Sequence, residues 1–285
     1  MLRGAVQITT SSVRYSVVTS DRSQPGTVSA GFQEVATLTG DPEEVEAAIA
    51  EVVESTRMAG AEVVELLAAP ELKGTRLASR LRTSSRRLGT GDPVFTGGGA
   101  AIAASFISST ASLQLDGEGE SLDCGVLGIG DHSVGLAVGC PGERPSWVGS
   151  RPVGLARVAE RARLSDPPEP SQLAAGRSAV ERALGSFSAP GIDLLISVSD
   201  FSQATRITCG ERIDRESILG ALDDLIGMTA DQLGATVGLG PRLARLFPLA
   251  LVVQLAAVAT FGADLVPLDP DPARLALSLP DTRVR

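Results

Sequence analysis

The residues best suited to chemistry lie in a polar turn, Gly130-Asp131-His132-Ser133, which places the only histidine of the chain beside a carboxylate. Histidine can transfer a proton or bind a ligand near neutral pH, and aspartate can bind a divalent cation. The plainer interpretation is an exposed turn residue, because a lone histidine is weak evidence of a site. One carboxylate rarely holds Mg²⁺ without substrate phosphates, so we predict no metal site at Asp131.

Three hydroxyl residues, Thr10, Ser11 and Ser12, form another turn near the N-terminus. Each turn joins two segments of alternating apolar residues, within 5–18 and 126–139, which predict paired strands. At one constant offset between the segments, four positions are identical: Ile8 and Ile129, Ser12 and Ser133, Val13 and Val134, and Val17 and Val138. This agreement predicts an internal duplication, in which two strand–turn–strand units present two loops to one shared cleft.

Three strands followed by helix, strand, helix, strand and helix are predicted for the first half. After the N-terminal hairpin we expect a strand at 28–38, a helix from 42 to about 59, a strand at 62–68, a helix opened by Pro70 and ending near 88, a strand at 94–96 and a helix at 100–113. The sequence Asp41-Pro42-Glu43-Glu44 is typical of a helix start. This order is that of a ribonuclease-H-like α/β domain.

The sequence of the second half predicts the same order of strands and helices, with further helices added. We expect strands at 122–129, 133–140, 146–150, 192–198 and 265–268, helices at 152–163 and 171–184, and helices from 214 to about 261 with breaks near 228 and at 238–241. Asp200 is interpreted as a helix cap. The segment 116–121, DGEGES, is a plausible hinge, which predicts lobes at 1–117 and 118–285.

Composition restricts the function. The net charge of −9 argues against binding nucleic acid or an anionic membrane, since both require a basic surface. The most apolar run, 246–261, contains Pro248 and Gln254 and is shorter than a membrane span, so we interpret it as a buried helix. Three scattered cysteines, Cys124, Cys140 and Cys209, and no signal-peptide pattern predict a cytoplasmic protein with reduced thiols.

Four segments follow the order of the motifs of a known family. VQITTSSVR at 6–14 is similar to I-D-I-G-T-N-S-V-R, LGIGDHSVGL at 127–136 to V-D-I-G-G-G-S-T-E-L, SRPVGLARVAE at 150–160 to S-L-P-L-G-A-V-R-L-T-E, and GLGPRLARLFPLALVV, within 210–267, to a helical segment. The chain thus resembles the exopolyphosphatase and guanosine pentaphosphate phosphohydrolase family (Ppx/GppA). The resemblance implies the duplicated ribonuclease-H-like fold of the actin, Hsp70 and sugar-kinase superfamily, with two lobes and a central cleft.

The departures from this family fall on its chemistry. Phosphoryl hydrolysis of this kind needs a cation held by carboxylates and a carboxylate that orients water. Neutral residues occupy the positions that the resemblance assigns to carboxylates: Gln7 in the first motif, Gly128 and Gly135 in the second, and, after Gly98, Gly99 and Ala100 in a segment similar to I-S-G-x-E-E-A. We therefore expect no catalytic residue and no cofactor.

Other residues could still bind phosphate where the resemblance places it. The candidates are Thr10, Ser11, Ser12, Arg14, Lys73, Gly130, Asp131, His132 and Ser133. Lys73, the only lysine, stands where the family has a phosphate-facing arginine, and lysine binds phosphate as a point charge. The arginines at 76, 80, 82, 86 and 87 predict a solvated helix face that could also bind a polyanion or an acidic partner.

These observations predict a catalytically degenerate Ppx/GppA-like protein, a regulatory module that binds phosphate, polyphosphate or guanosine tetra- or pentaphosphate. The alternative is an active phosphohydrolase that releases orthophosphate with Mg²⁺, for which Glu71, Asp131 and Asp200 would have to converge. A homodimer formed through helix 246–261 and nearby surface, or another protein partner, is compatible with both.

Overall fold

The structure is a computed structural model that describes residues 2–10, 12–19, 27–35, 37, 40–111 and 122–278. The chain divides into two compact units. One contains the residues up to Ala104 together with those from Asp271 onward, and the other contains Ser105–Pro270. The predicted hinge at 116–121 and the candidate Ser11 lie outside the described residues.

A five-stranded mixed sheet in the order β3-β2-β1-β4-β5 forms the first unit. Its strands are β1 Leu2–Ile8, β2 Ser12–Thr19, β3 Thr27–Glu34, β4 Val63–Ala68 and β5 Val94–Phe95, and its helices are α1 Pro42–Met58, α2 Arg76–Arg87 and α3 Gly98–Thr110, which continues into the second unit. Strands β1, β4 and β5 are parallel to one another, whereas β2 is antiparallel to both of its neighbours, β1 and β3. This is the order of strands and helices that the sequence predicts.

The second unit contains a five-stranded sheet in the order β10-β9-β6-β7-β8. Its elements are β6 Cys124–Ile129, β7 Val134–Gly139, β8 Trp147–Arg151, α4 Leu155–Ala162, α5 Pro170–Leu184, β9 Leu194–Val198, α6 Ser202–Cys209, α7 Arg215–Leu225, α8 Ala230–Val237, α9 Pro241–Phe261 and β10 Leu265–Leu268. After β10 the chain returns to the first unit as α10, Pro272–Ser278.

The two sheets confirm the predicted duplication. When the strands of each unit are counted in chain order, both sheets have the order third, second, first, fourth, fifth. Ile8 pairs with Val13 in the first hairpin, and Ile129 pairs with Val134 in the second. The turns close alike: the Thr9 amide donates to the Ser12 carbonyl at 2.9 Å, and the Gly130 amide donates to the Ser133 carbonyl at 3.1 Å. The chain thus has the predicted duplicated two-lobe α/β fold.

Local sequence explains the best-predicted element, α1. Asp41 is its N-cap and accepts a hydrogen bond from the Glu43 amide at 3.0 Å, and Pro42 occupies the first turn. The helix ends before Gly60, whose φ of +94° is accessible to glycine at little cost. Its apolar face is buried against β1 and β2 with Val45, Ile49, Val52 and Val53.

Two predicted helix starts were wrong, and one helix was missed. Pro70 opens only a short 3₁₀ turn, Pro70–Leu72; Gly74, at a φ of +87°, breaks the chain, and α2 begins after its N-cap Thr75. Helix α4 begins at Leu155 rather than at Pro152 because Gly154 is still extended. The eight-residue α6 was not predicted, and its N-cap position is occupied by Phe201, not Asp200.

Helix α9 is the core of the second unit. It is long and apolar enough to cross a membrane, but 83% of its most apolar window is buried among the other elements, chiefly α5, α7 and α8. The prediction of a buried helix is therefore confirmed. Its residues from Leu246 to Val258 are buried in this core, so the dimer contact, which stays a prediction, would have to use the end of the helix or the nearby surface.

Helix α10 packs on the first sheet, against β1, β2 and β4. Ala273 lies against Ala5 and Val18, and Leu275 lies against Leu67. The Ser16 hydroxyl donates to Asp271 Oδ1 at 2.5 Å and accepts the Ala273 amide at 2.9 Å. The compact units therefore differ from the predicted lobes, 1–117 and 118–285, because the end of the chain lies on the first sheet.

Candidate functional site

The hydroxyls of the first turn hold the turn together. Thr9 Oγ1 and Ser12 Oγ lie 2.7 Å apart, and the Ser12 amide donates to Thr9 Oγ1 at 2.9 Å. The Thr37 hydroxyl donates to the Thr9 carbonyl at 2.5 Å. Thr10 and Ser12 are buried, with 4% and 0% of their surface exposed. The sequence indicated Thr10 and Ser12 as anion contacts but missed Thr9 and Thr37, whose part in the turn has no local pattern.

Arg14 lies behind this turn on β2. It is the cross-strand partner of Gln7, and it is buried, with 5% of its surface exposed. Because side chains alternate along a strand, Arg14 and Ser16 belong to the same face of the sheet. The position that the resemblance assigns to an aspartate is therefore a half-buried glutamine beside a buried guanidinium.

Lys73 ends the 3₁₀ turn, Pro70–Leu72, that packs against the loop before α3. Gly97 packs directly on Pro70, since a Cβ at Gly97 would lie 2.2 Å from the Pro70 ring. The Thr96 amide donates to the carbonyl of Ala68 at 2.9 Å, and the Lys73 amide donates to that of Pro70 at 3.0 Å. These contacts hold the 3₁₀ turn and the strand-to-helix loop together. Lys73, whose side chain is exposed, thus ends the turn that packs against this loop.

The N-terminus of α3 is exposed and carries almost no side chains. Gly98, Gly99 and Ala100 are all exposed, and Gly98 has a φ of +57°. The first amides of a helix lack intrahelical acceptors and carry partial positive charge, so they favour an anion. Where the resemblance implies a catalytic glutamate, the structure has a helix start without a carboxylate.

The arginines of α2 form the predicted solvated face. Arg76, Arg82, Arg86 and Arg87 are exposed and Arg80 is half-buried. Two of them pair with α1: Arg87 contacts Glu46 at 2.6 Å and Arg80 contacts Glu43 at 3.3 Å. Exposed pairs of this kind contribute little to stability, so the face is best described as a solvated surface.

The second turn is fixed to two helices. The amides of Leu155 and Ala156 donate to the carbonyls of Gly130 and Asp131 at 3.0 and 2.9 Å, so the turn caps the N-terminus of α4. Asp131 Oδ2 lies 3.2 Å from Arg242 Nη2 in the first turn of α9. Its side chain is only 6% exposed. The carboxylate that could have served a metal is therefore paired with a guanidinium.

Gly154 makes this arrangement possible. A Cβ at this position would lie 2.3 Å from both the Asp131 carbonyl carbon and the His132 nitrogen. His132 and Ser133 remain half-buried at the turn, so the prediction of an exposed His132 was only partly right.

The positions that should hold a divalent cation do not fit one. Gly128 and Gly135 are cross-strand partners at the end of β6 and β7, so this spot has no side chains. Glu71 lies in the first unit, whereas Asp131 and Asp200 lie in the second. Among the residues that the structure describes, no group of three His, Cys, Asp or Glu side chains is close enough to hold a metal.

Two of the cysteines, Cys124 and Cys209, are not suited to act as nucleophiles. Cys124 is fully buried, and burial, together with Asp193 and Asp123, raises its pKa to about 11. Burial also raises the pKa of Cys209. A thiol with a raised pKa holds little thiolate at neutral pH and is inert.

Comparison with known proteins identifies the fold. No protein-family model matches the chain, and no curated protein matches it significantly. A crystal structure of the Ppx/GppA family member from Aquifex aeolicus superposes with a TM-score of 0.77 at 14% identity, covering 98% of this chain and 96% of that one. The chain has the fold of the Ppx/GppA phosphatases.

Further structures with the Ppx/GppA fold agree with this result. The type II variant of the Aquifex aeolicus phosphatase has a TM-score of 0.73 at 15% identity, and each chain is covered to 98%. An exopolyphosphatase from Cytophaga hutchinsonii has a TM-score of 0.76 at 13% identity, covering 97% of this chain and 96% of its own. The fold predicted from the motif resemblance is therefore confirmed over nearly the whole chain.

Proposed function

We propose that this protein is a divergent Ppx/GppA-type protein of the cytoplasm that binds a phosphate-containing ligand and does not hydrolyse it. The observation that carries the proposal is the start of α3, where exposed helix amides stand without the carboxylate that hydrolysis would require, beside the turn that Lys73 ends. A phosphate gains from a positive helix end and a nearby ammonium, whereas a carboxylate there would repel it. The protein would then act as a regulatory module.

Loss of the cation-binding carboxylates supports the absence of hydrolysis. Gln7, Gly128 and Gly135 occupy the positions concerned, and Asp131 is paired with Arg242. Metal-assisted phosphoryl transfer needs carboxylates free to hold the ion and to orient water. None of these positions supplies one.

The ligand class follows from the fold and the resemblance. Polyphosphate and guanosine tetra- or pentaphosphate all end in a phosphate group small enough to meet a helix N-terminus. Proteins with this fold include an exopolyphosphatase, which supports polyphosphate as the first ligand to test. The net charge of −9 predicts that binding depends strongly on salt, since the ligand meets a local positive site on an acidic protein.

Titration of the purified protein with polyphosphate and with guanosine tetra- and pentaphosphate tests this function. Binding and phosphate release are followed together, with and without Mg²⁺. We expect binding without release. Mg²⁺-dependent release would establish the alternative, an active phosphohydrolase, and absence of both would direct the search to protein partners.

Two variants localise the site. Lys73→Met should weaken binding about tenfold, whereas Arg182→Met, which removes an exposed charge from α5, should not. Ala100→Glu places a carboxylate at the start of α3 and should abolish binding. The neutral Ala100→Gln is its matched control, and equal affinities for these two variants would contradict the proposed position of the phosphate.

A further inference from the structure

We infer that Arg242 is a positioning residue that fixes the second turn, residues 130–133, and compensates the charge of its carboxylate. The consequence for ligand binding rests on the proposed function, but the positioning itself does not. The inference starts from a contact between residues 111 positions apart in the chain, Arg242 Nη2 to Asp131 Oδ2 at 3.2 Å.

The ion pair adds a side-chain contact to the main-chain contacts of the turn. The main chain of the turn is closed by a hydrogen bond from the Gly130 amide to the Ser133 carbonyl. Its carbonyls reach the N-terminus of α4 through the Leu155 and Ala156 amides. Arg242, in the first turn of α9, contacts the Asp131 side chain. The turn is therefore held by two helices, by α4 through its main chain and by α9 through the Asp131 side chain.

The second effect of Arg242 is to compensate the charge of Asp131. Asp131 is the only carboxylate among residues 130–133, and its side chain is 6% exposed. A buried carboxylate without a partner is costly and would repel a phosphate near the turn. The Arg242 guanidinium, with 36% of its side chain exposed, compensates this charge and leaves the turn without net negative charge.

Arg245 on the same helix provides a matched comparison. It lies three residues further along α9, and its Nη2 donates to the Leu164 carbonyl at 2.7 Å. Arg245→Gln therefore removes an equal charge from the same helix without removing a contact to the second turn. An effect that is specific to Arg242 cannot be attributed to the net charge of α9.

Hydrogen exchange tests the positioning directly. In Arg242→Gln, the amides of Leu155 and Ala156 should exchange about tenfold faster, because their acceptor carbonyls move away. The Val158 amide, which donates to Gly154 within the α4 region, should keep its rate, and Arg245→Gln should change none of the three. Arg242→Lys should restore part of the protection.

Two results would overturn the inference. Unchanged exchange at Leu155 and Ala156 would mean that the turn holds itself, and faster exchange at all three amides would mean that Arg242 only supports α4 in general. Should Arg242→Gln fail to fold, the nearly isosteric Asp131→Asn removes the same ion pair. It must then give the same selective exchange.

Tripolyphosphate binding separates the two effects of Arg242. Arg242→Gln should weaken binding about tenfold, and Asp131→Asn with Arg242→Gln should recover part of this loss, since the uncompensated carboxylate is gone. Full recovery would contradict a positioning role and would mean that Arg242 acts through its charge alone. If the parent protein binds no tripolyphosphate, the proposed function fails, whereas the exchange result still decides the role of Arg242.

Discussion

Ser16 and Asp271 are hydrogen-bonded at 2.5 Å although 255 residues separate them in the chain. The same hydroxyl accepts the Ala273 amide, so one buried serine of β2 serves as the cap of α10. The local start signal Asp271-Pro272 is thus completed by a hydroxyl of the sheet. This contact therefore helps to hold α10 on the first unit.

Ser16→Ala tests this cap. The substitution leaves the Ala273 amide and the Asp271 carboxylate without this partner, and we expect the free energy of unfolding to fall by about 1–3 kcal/mol. Urea denaturation measures it. Ser79→Ala, at an exposed position of α2, should change stability little, and equal effects of the two variants would mean that the cap contributes nothing.

Gly154→Ala should disrupt the second turn. The added Cβ would overlap the Asp131 and His132 main chain, so stability should fall by about 1–3 kcal/mol. Gly220→Ala is the matched change within α7, where a Cβ meets no atom within 4 Å. That variant should be more stable by about 0.5–1 kcal/mol, because alanine is the better helix former. Thermal unfolding of both variants measures the two changes in stability, which should be opposite in sign.

Gln254→Glu should make stability depend on pH. Gln254 is fully buried on α9, its Nε2 donates to Thr205 Oγ1 at 3.3 Å, and its Oε1 has no hydrogen-bond partner among the residues that the structure describes. Burial disfavours a charged carboxylate, so the folded-state pKa of the new glutamate would lie above its unfolded value of about 4.3.

The loss of stability in this variant should be small below that pH and should grow as pH rises, reaching on the order of 3 kcal/mol at pH 7. Chemical denaturation at pH 4, 5.5 and 7 measures the trend. Gln203→Glu, exposed on α6, should show no such dependence. A flat profile for Gln254→Glu would mean that water reaches this position.

Cys124 should resist thiol reagents in the folded protein. Its pKa is raised from 9.0 to about 11, mainly by burial, so the thiol stays protonated and inaccessible at pH 8. Because the folded-state pKa exceeds the unfolded one, the contribution of this thiol to stability is complete below pH 9.0 and is lost as pH rises toward 11.

Mass spectrometry after labelling at pH 8 should therefore find Cys124 modified only in urea. The half-buried Cys140 is the internal control for accessible thiols. A Cys124→Ala variant should lose less stability than the parent between pH 9 and pH 11. Rapid native labelling of Cys124 would show that β6 opens readily at its first residue.

Local patterns explain which elements the sequence predicts. The two hairpins follow from alternation and from the matched positions Ile8/Ile129 and Val13/Val134, which occupy the same registers in both sheets. Helix α1 follows from its Asp41 cap and its apolar spacing. These signals lie within one element, so a single sequence is sufficient to reveal them.

Long-range contacts explain what the sequence does not reveal. Helix α6 starts without a side-chain cap, and α10 takes its cap from Ser16. The Asp131–Arg242 pair joins segments with no common pattern, so the sequence allowed Asp131 as a possible metal ligand. For the candidate site, Lys73 and the missing carboxylates can be read from the sequence, whereas the contact between Gly97 and Pro70 could not be predicted from it.

The return of α10 to the first sheet has a consequence for biosynthesis. Residues 105–270 are inserted, in the order of the chain, between the first strands and the helix that completes their packing. Translation proceeds from the N-terminus at about 5–20 residues per second, so the first unit waits roughly ten seconds or more for α10 after its own strands have emerged. During this interval the face of β1 and β2 that α10 covers is open to chaperones and to other nascent chains. A segment made after the second unit thus completes the packing of the first unit.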